Sequence, residues 1–217
     1  MFASFLHYRL RRRIETGFSL LEVVVVLGIV MVVFGTALFN LVPALNTAKS
    51  NTGVELVLGE LRRAHERAVG ERRIYRVTFV PPQTIQVDVG QVANIASTVT
   101  GSAPAFTQAQ PPLILPPTVQ FAAVAGIPTT AQTTPDGFGT GNNAIDFDIS
   151  NGGGGTEIYF QPDGRALDGA NRLNNGVVYI AQPKNLFSSR AVSLYGATGR
   201  VKPWFLSKVG GANAWVQ

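Results

Sequence analysis

The sequence predicts an α+β protein, with a long N-terminal helix, transmembrane and then amphipathic, packed on an antiparallel β-sheet or sandwich domain. Three observations carry this. An apolar run of helical length fills 18–41, an apolar stripe at helical spacing follows from Val54 to Ala68, and short alternating segments between Gly, Pro and Asn turns occupy the rest. The expected organisation is a leader at 1–17, a membrane or assembly helix at 18–44, an amphipathic extension at 45–73 and an antiparallel β-domain with long loops at 74–217.

From Phe18 to Leu41 only Ser19, Glu22, Thr36 and Asn40 break a sequence of apolar or small residues. Such a helix rises roughly 36 Å, enough to cross a hydrocarbon core of about 30 Å. Arg9, Arg11, Arg12 and Arg13 precede it and no comparable basic cluster follows. The positive-inside rule therefore expects a single pass through the inner (cytoplasmic) membrane, with the N-terminus cytoplasmic and the C-terminal domain periplasmic. A cleaved secretory signal is the competing interpretation, but the run exceeds the usual 7 to 15 apolar residues and contains an acid.

Composition limits the chemistry. The 217 residues are 46% hydrophobic and only 14% charged, so uncharged polar residues supply most of the solvated surface. The net charge of +5 owes much to the leader. Removing its four arginines and Glu15 from 18 bases and 13 acids leaves 14 and 12, a balance of +2. No cysteine is present, which excludes disulfides, thiolate metal sites and cysteine nucleophiles, and the two histidines, His7 and His65, offer little for metal or general-base chemistry. The sequence thus predicts a non-enzymatic protein with no cofactor, no metal and no small-molecule substrate.

Glu22 is the anomaly. A carboxylate inside a membrane helix carries an insertion penalty of about 2.5–3.5 kcal/mol at mid-bilayer and is usually paired, yet the run contains no cation. The residues Gly17-Phe18-Ser19-Leu20-Leu21-Glu22 after a short basic leader closely resemble the signal of type IV prepilins and type II secretion pseudopilins. The resemblance implies that a prepilin peptidase cleaves after Gly17 and methylates the new amino terminus on Phe18. It implies also that Glu22 pairs with the N-terminal amine of a neighbouring subunit during filament assembly. Other pilins or pseudopilins and the inner membrane are then the expected partners.

Pro43 is expected to lie within a continuing helix. Beyond it, Val54, Val57, Leu58, Leu61, Ala64 and Ala68 form one stripe, while Glu60, Arg62, Arg63, Glu66, Arg67 and Glu71 are assigned to the solvated side, with Arg62/Glu66 and Arg67/Glu71 four apart. His65 is expected to be an ordinary helix residue. Strands are expected at 74–80 and 84–89, joined by Pro81-Pro82-Gln83, and at 113–124 (broken by its prolines), 144–149, 156–160, 176–181 and 190–196. Segments 90–112 and 125–143, long and nearly uncharged, are expected to be exposed loops of low order. Helix, strands, FQPDGRA and AVSLYGATGRVK in this order resemble the pseudopilin H and FimT-type minor pilin domain.

Four further constellations bear on function. Asp146 and Asp148 share one strand face as paired carboxylates would, but alternation assigns Ile145, Phe147 and Ile149 to the core and both aspartates to water. Asp163, Asp168, Asn171 and Asn174 could offer oxygens to calcium, without EF-hand spacing. The Gly152–Gly155 run lacks a following Gly-Lys-Ser/Thr and is assigned to a flexible turn rather than a phosphate loop. After Asp168 no acidic side chain occurs, while Arg172, Lys184, Arg190, Arg200, Lys202 and Lys208 accumulate among aromatics. Gly199-Arg200-Val201-Lys202 resembles the Gly-Arg-x-Arg element of FimT-type pilins that take up DNA, and implies Arg200, Lys202 and Arg190 as DNA contacts. A hairpin end with solvated charges accounts for the same residues.

Overall fold

The computed structural model describes Gly17, residues 19–92, 105–130 and 132–217. The chain divides into two units, up to Pro43 and Ala44–Gln217, and each is considered by itself.

Helix α1 (Leu20–Glu71) contains Pro43 without ending there, as expected. In the first unit the segment Leu20–Ala37 has a mean hydropathy of 2.6 and none of it is buried, so it is long and apolar enough to cross a membrane. The second unit begins where the helix acquires a sided pattern. Val54, Val57, Leu61, Ala64 and Ala68 are each at most 1% exposed and form one wall of the main core. Small residues at positions 64 and 68 let the helix approach its sheets closely.

The first sheet contains β1 (Arg73–Val80), β2 (Thr84–Val92), β3 (Phe106–Gln108), β4 (Leu113–Ile114), β7 (Glu157–Phe160) and β8 (Ala166–Leu167). Its order is β3-β2-β1-β7-β8, with β4 continuing β3 along the same edge of β2. The second sheet contains β5 (Gln120–Phe121), β6 (Ile145–Asp146), β9 (Gly176–Ala181), β10 (Arg190–Tyr195), β11 (Arg200–Val209) and β12 (Ala212–Val216), in the order β12-β11-β10-β9-β5, with β6 also on β9. All pairings are antiparallel. The main core joins the helix stripe to Tyr75, Val77, Phe79, Ile158 and Phe160 of the first sheet and Val178, Ile180, Val192 and Leu194 of the second.

The two sheets treat their other faces differently. On the first, Arg76 meets Asp88 at 2.7 Å and lies 4.5 Å over the Phe106 ring, a polar and half-exposed surface. On the second, β9 is buried at every position. Val177, Tyr179, Ala191, Leu206 and Trp215 form a second core beneath Ile127, Ala123 and Phe138 from residues 122–143. The expected exposed loop 125–143 is therefore packed through Ile127 and Phe138 rather than loose. It packs as a strap over the outer face of the second sheet, and Asp136 within it bonds Ser193 and Lys202.

The strand candidate 113–124 is broken at its prolines, as expected, and only β4 and β5 remain of it, because Pro116 and Pro117 cannot sustain a ladder. Other expectations are corrected. The predicted strand 144–149 stops at Asp146, and Asp148 adopts a left-handed backbone with φ 60°. Strands β3, β8, β11 and β12 lie outside the expected set. Segment 90–112 contains the end of β2 and all of β3, and its residues 93–104 lie outside the described ones.

Candidate functional site

At the N-terminal end of α1 the Val23 amide donates to the Ser19 carbonyl at 3.2 Å, so Ser19 is the residue from which the helix departs. Leu20, Leu21 and Glu22 are then its first three helical residues. The unpaired amides of a first helical turn carry partial positive charge, which favours a carboxylate at this position. Glu22 is exposed, and it borders a shallow apolar cavity of about 280 Å³ with Val23, Val26 and Leu27.

Gly17 is exposed, and a Cβ built on it meets no atom within 4 Å. Packing within the described chain gives no reason for glycine there. Phe18, the expected methylation position, lies outside the described residues, as does the leader 1–16.

The C-terminal cations, grouped in sequence as one DNA-facing set, occupy three different environments. Arg200 is exposed at the start of β11, and it shares an open cavity of about 280 Å³ with Arg62, His65, Glu66, Thr198 and Gly199. Lys202 donates to Asp136 Oδ1 at 2.9 Å. Asp136 Oδ2 accepts from Ser193 Oγ, which in turn accepts from Trp204 Nε1 at 2.9 Å, so Lys202 belongs to the anchorage of the strap. Arg190 is 6% exposed. Its guanidinium donates to Asn51 Oδ1 at 2.9 Å and to the carbonyls of Phe187 and Ser189, and burial lowers its pKa. Arg190 ties the second sheet to α1 and does not present a surface charge.

Gly199 has a packing explanation of its own. Its φ is +64°, and a Cβ there would fall 2.4 Å from His65 Cδ2 and 2.6 Å from the Gly164 carbonyl oxygen. His65 Nε2 donates to that same carbonyl at 3.1 Å, and its ring lies edge-on to Phe160 at 5.6 Å. The histidine thus joins the helix to two turns, Gly164 and Gly199, across the chain.

The acidic constellations are likewise satisfied from within. Asp163 bonds the Arg165 guanidinium at 2.7 Å, which lowers its pKa. Asp168 is 6% exposed and receives Arg172 Nε at 2.7 Å together with the amides of Ala170 and Arg172. Burial opposes its ionisation, but these bonds outweigh it and lower the pKa. Asn174 accepts the Asp148 amide and donates to the Glu157 carbonyl. Among the described residues no group of three or more His, Cys, Asp or Glu side chains is placed to hold a metal ion.

Asp146 reverses the sequence expectation. It is 1% exposed rather than solvated. Its carboxylate accepts the Thr140 amide and the Gly154 amide, each at 2.9 Å. The Gly-rich run is shaped around it: Gly153 has φ +74°, and a Cβ there would lie 2.5 Å from Asp146 Oδ1. Tyr179 lies in the same layer with its hydroxyl buried and without a partner, and burial first, then the Asp146 charge, raise its pKa.

No protein-family model, curated protein or solved structure matches this chain.

Proposed function

We propose that this protein is a minor pilin or pseudopilin: a structural, non-catalytic subunit whose precursor is cleaved after Gly17 by a prepilin peptidase and methylated on Phe18. Its apolar helix is stored in the inner membrane and then buried among sister helices in a type II secretion pseudopilus or a type IV pilus. The β-domain lies on the outside of the filament or at its tip. Glu22 sets the register by pairing with the free amine of a neighbouring subunit.

The observation that carries this reading is an apolar helical segment, Leu20–Ala37, none of it buried, with one carboxylate in its first turn, behind a glycine on which no described residue packs. An ordinary anchor would leave both Glu22 and Gly17 without a purpose. The test is processing. Intact-mass measurement of the chain recovered from cells with a prepilin peptidase should show loss of residues 1–17 and one added methyl group. Gly17→Phe should be recovered uncut, and normal trimming of that variant would overturn the proposal.

A second reading, a FimT-like minor pilin that binds DNA during uptake, is favoured by one feature: Arg200 and Arg62 line the same open cavity. Lys202 and Arg190 have partners inside the fold, so the load falls on Arg200. Replacing a phosphate-contacting arginine should weaken salt-dependent binding across all sequences. Arg200→Glu with duplex binding unchanged would remove this reading and leave the filament one untouched.

A further inference from the structure

Strand β12 is the end strand of the second sheet and, among the described residues, pairs only with β11. The two are joined by Gly210 and Gly211, with φ of +60° and +87°, the backbone a two-residue hairpin turn requires. With that turn, Val209 and Ala212 exchange both ladder bonds. The antiparallel alternation then leaves Lys208/Asn213 and Leu206/Trp215 as wide pairs, whose amides and carbonyls on β12 point outward. The Leu206 amide obeys this geometry, since it bonds the Ser189 carbonyl on the far side of β11.

Sheet edges are usually blunted by a charge, a proline, a bulge or brevity. Here β3, β4, β5, β6 and β8 are each three residues or fewer, whereas Ala-Asn-Ala-Trp-Val runs five residues in regular register with none of these devices. Beside it lies a cavity of about 400 Å³ lined by Trp204, Trp215, Asn213, Ala214, Thr133 and Thr134, within the size range of ligand pockets. The cavity's one carboxylate, Asp136, is already paired with Lys202. Lys208, the register partner of Asn213, is exposed and makes no ion pair among the described residues, so the charge left to meet a partner along this edge is positive.

We propose that β12 is a docking edge which takes an extended, acidic segment of a partner protein as an added strand, with one apolar side chain of that segment seated in the cavity. Main-chain bonds to Asn213 and Trp215 supply affinity, and the cavity and the flanking lysine supply selectivity. This rests on the β-domain alone and is independent of processing at Gly17.

The probe is a blocked peptide of about six residues, a common strand length, alternating glutamate with valine, against its lysine counterpart. It is titrated onto the full chain in detergent micelles while tryptophan fluorescence and amide hydrogen exchange are followed. The glutamate peptide should bind about tenfold or more tightly than the lysine peptide and slow exchange at Asn213 and Trp215. Asn213→Pro removes an outward amide without touching a ladder bond and should weaken binding about tenfold, whereas Asn213→Ala should bind as the parent does. Absence of binding, equal binding of both peptides, or unchanged binding by Asn213→Pro would each overturn the proposal. If Asn213→Pro disturbs the hairpin, exchange in the parent chain decides: no added protection at Asn213 and Trp215 on peptide binding is also fatal.

Discussion

Two stretches of the same helix use similar residues to opposite ends. Between Leu20 and Ala37 valines, leucines and glycines surround the helix on all sides and none of that segment is buried. Between Val54 and Ala68 the apolar residues form a single stripe and are nearly inaccessible. The second stretch is completed by the chain's own two sheets, while the first leaves an apolar surface that no described residue buries. Stability and assembly should therefore respond separately, and matched substitutions in the two stretches can show whether they do.

The largest contrast is expected for truncated side chains. Leu61→Ala opens a cavity in a core where Leu61 is 1% exposed, and should cost about 2–5 kcal/mol in denaturant unfolding of the full chain in detergent. Val26→Ala should stay within about 0.5 kcal/mol, because its side chain is exposed and belongs to neither core among the described residues. Equal losses at both positions would break the contrast.

The glutamates come next. Glu60, expected on the solvated face, is 3% exposed and accepts from Arg63 at 3.1 Å and from Gln110. Glu60→Ala leaves the Gln110 amide without its partner and should cost about 1–3 kcal/mol. Glu22→Ala should leave unfolding unchanged within about 0.5 kcal/mol and instead abolish incorporation into filaments, measured as sheared surface or periplasmic fibres. A Glu22→Ala chain that assembles normally would detach Glu22 from assembly.

These glutamates also show what was legible in the sequence. The stripe was readable because helical periodicity depends only on neighbours along the chain; β1, β2, β7 and β10 were readable from alternation, and β9 from a short apolar run between turn residues. Glu60 was not, since the amide that bonds its carboxylate, on Gln110, is fifty residues away. Strand β11 hides its period: with Pro203, Trp204 and Phe205 in succession it is half-buried on both sides, between the main core and the strap. Residues 125–143 read as a loop because their turn formers are local, while the fit of Ile127 and Phe138 onto Tyr179 and Trp215 is not. Arg190 and Arg200 look alike in sequence, and only the fold separates a buried tie to Asn51 from an exposed charge. At the helix start the opposite holds. The Gly17–Glu22 pattern is entirely a sequence signal, and the structure adds only that no described residue packs on Gly17.

Glycines sharpen the comparison at smaller cost. A Cβ at Gly53 would meet Val119 Cγ1 at 2.9 Å, inside a full core, so Gly53→Ala should lose about 1–3 kcal/mol despite the better helix propensity of alanine. At Gly28 nothing lies within 4 Å, and Gly28→Ala should instead stabilise the isolated chain by up to about 1 kcal/mol. Thermal unfolding of the two variants should shift in opposite directions.

The smallest effect concerns the charged end of the inner stretch. Glu71 Oε2 accepts the Tyr75 hydroxyl at 2.5 Å and Oε1 accepts Arg67 Nε at 2.9 Å, and these bonds, the tyrosine first, lower the Glu71 pKa. The folded pKa is thus below the unfolded one. The stabilisation is present above the unfolded glutamate value and is lost as pH falls through the folded one. Side-chain carboxyl resonances should place the Glu71 midpoint below the ordinary glutamate range, and Tyr75→Phe should move it up. The stability difference between parent and Tyr75→Phe should then shrink on acidification as the carboxylate protonates and its bond to the tyrosine weakens. A difference that stays constant through the Glu71 titration would show that Tyr75 acts through packing alone, and that the end of the inner stretch is held by the core rather than by its charges.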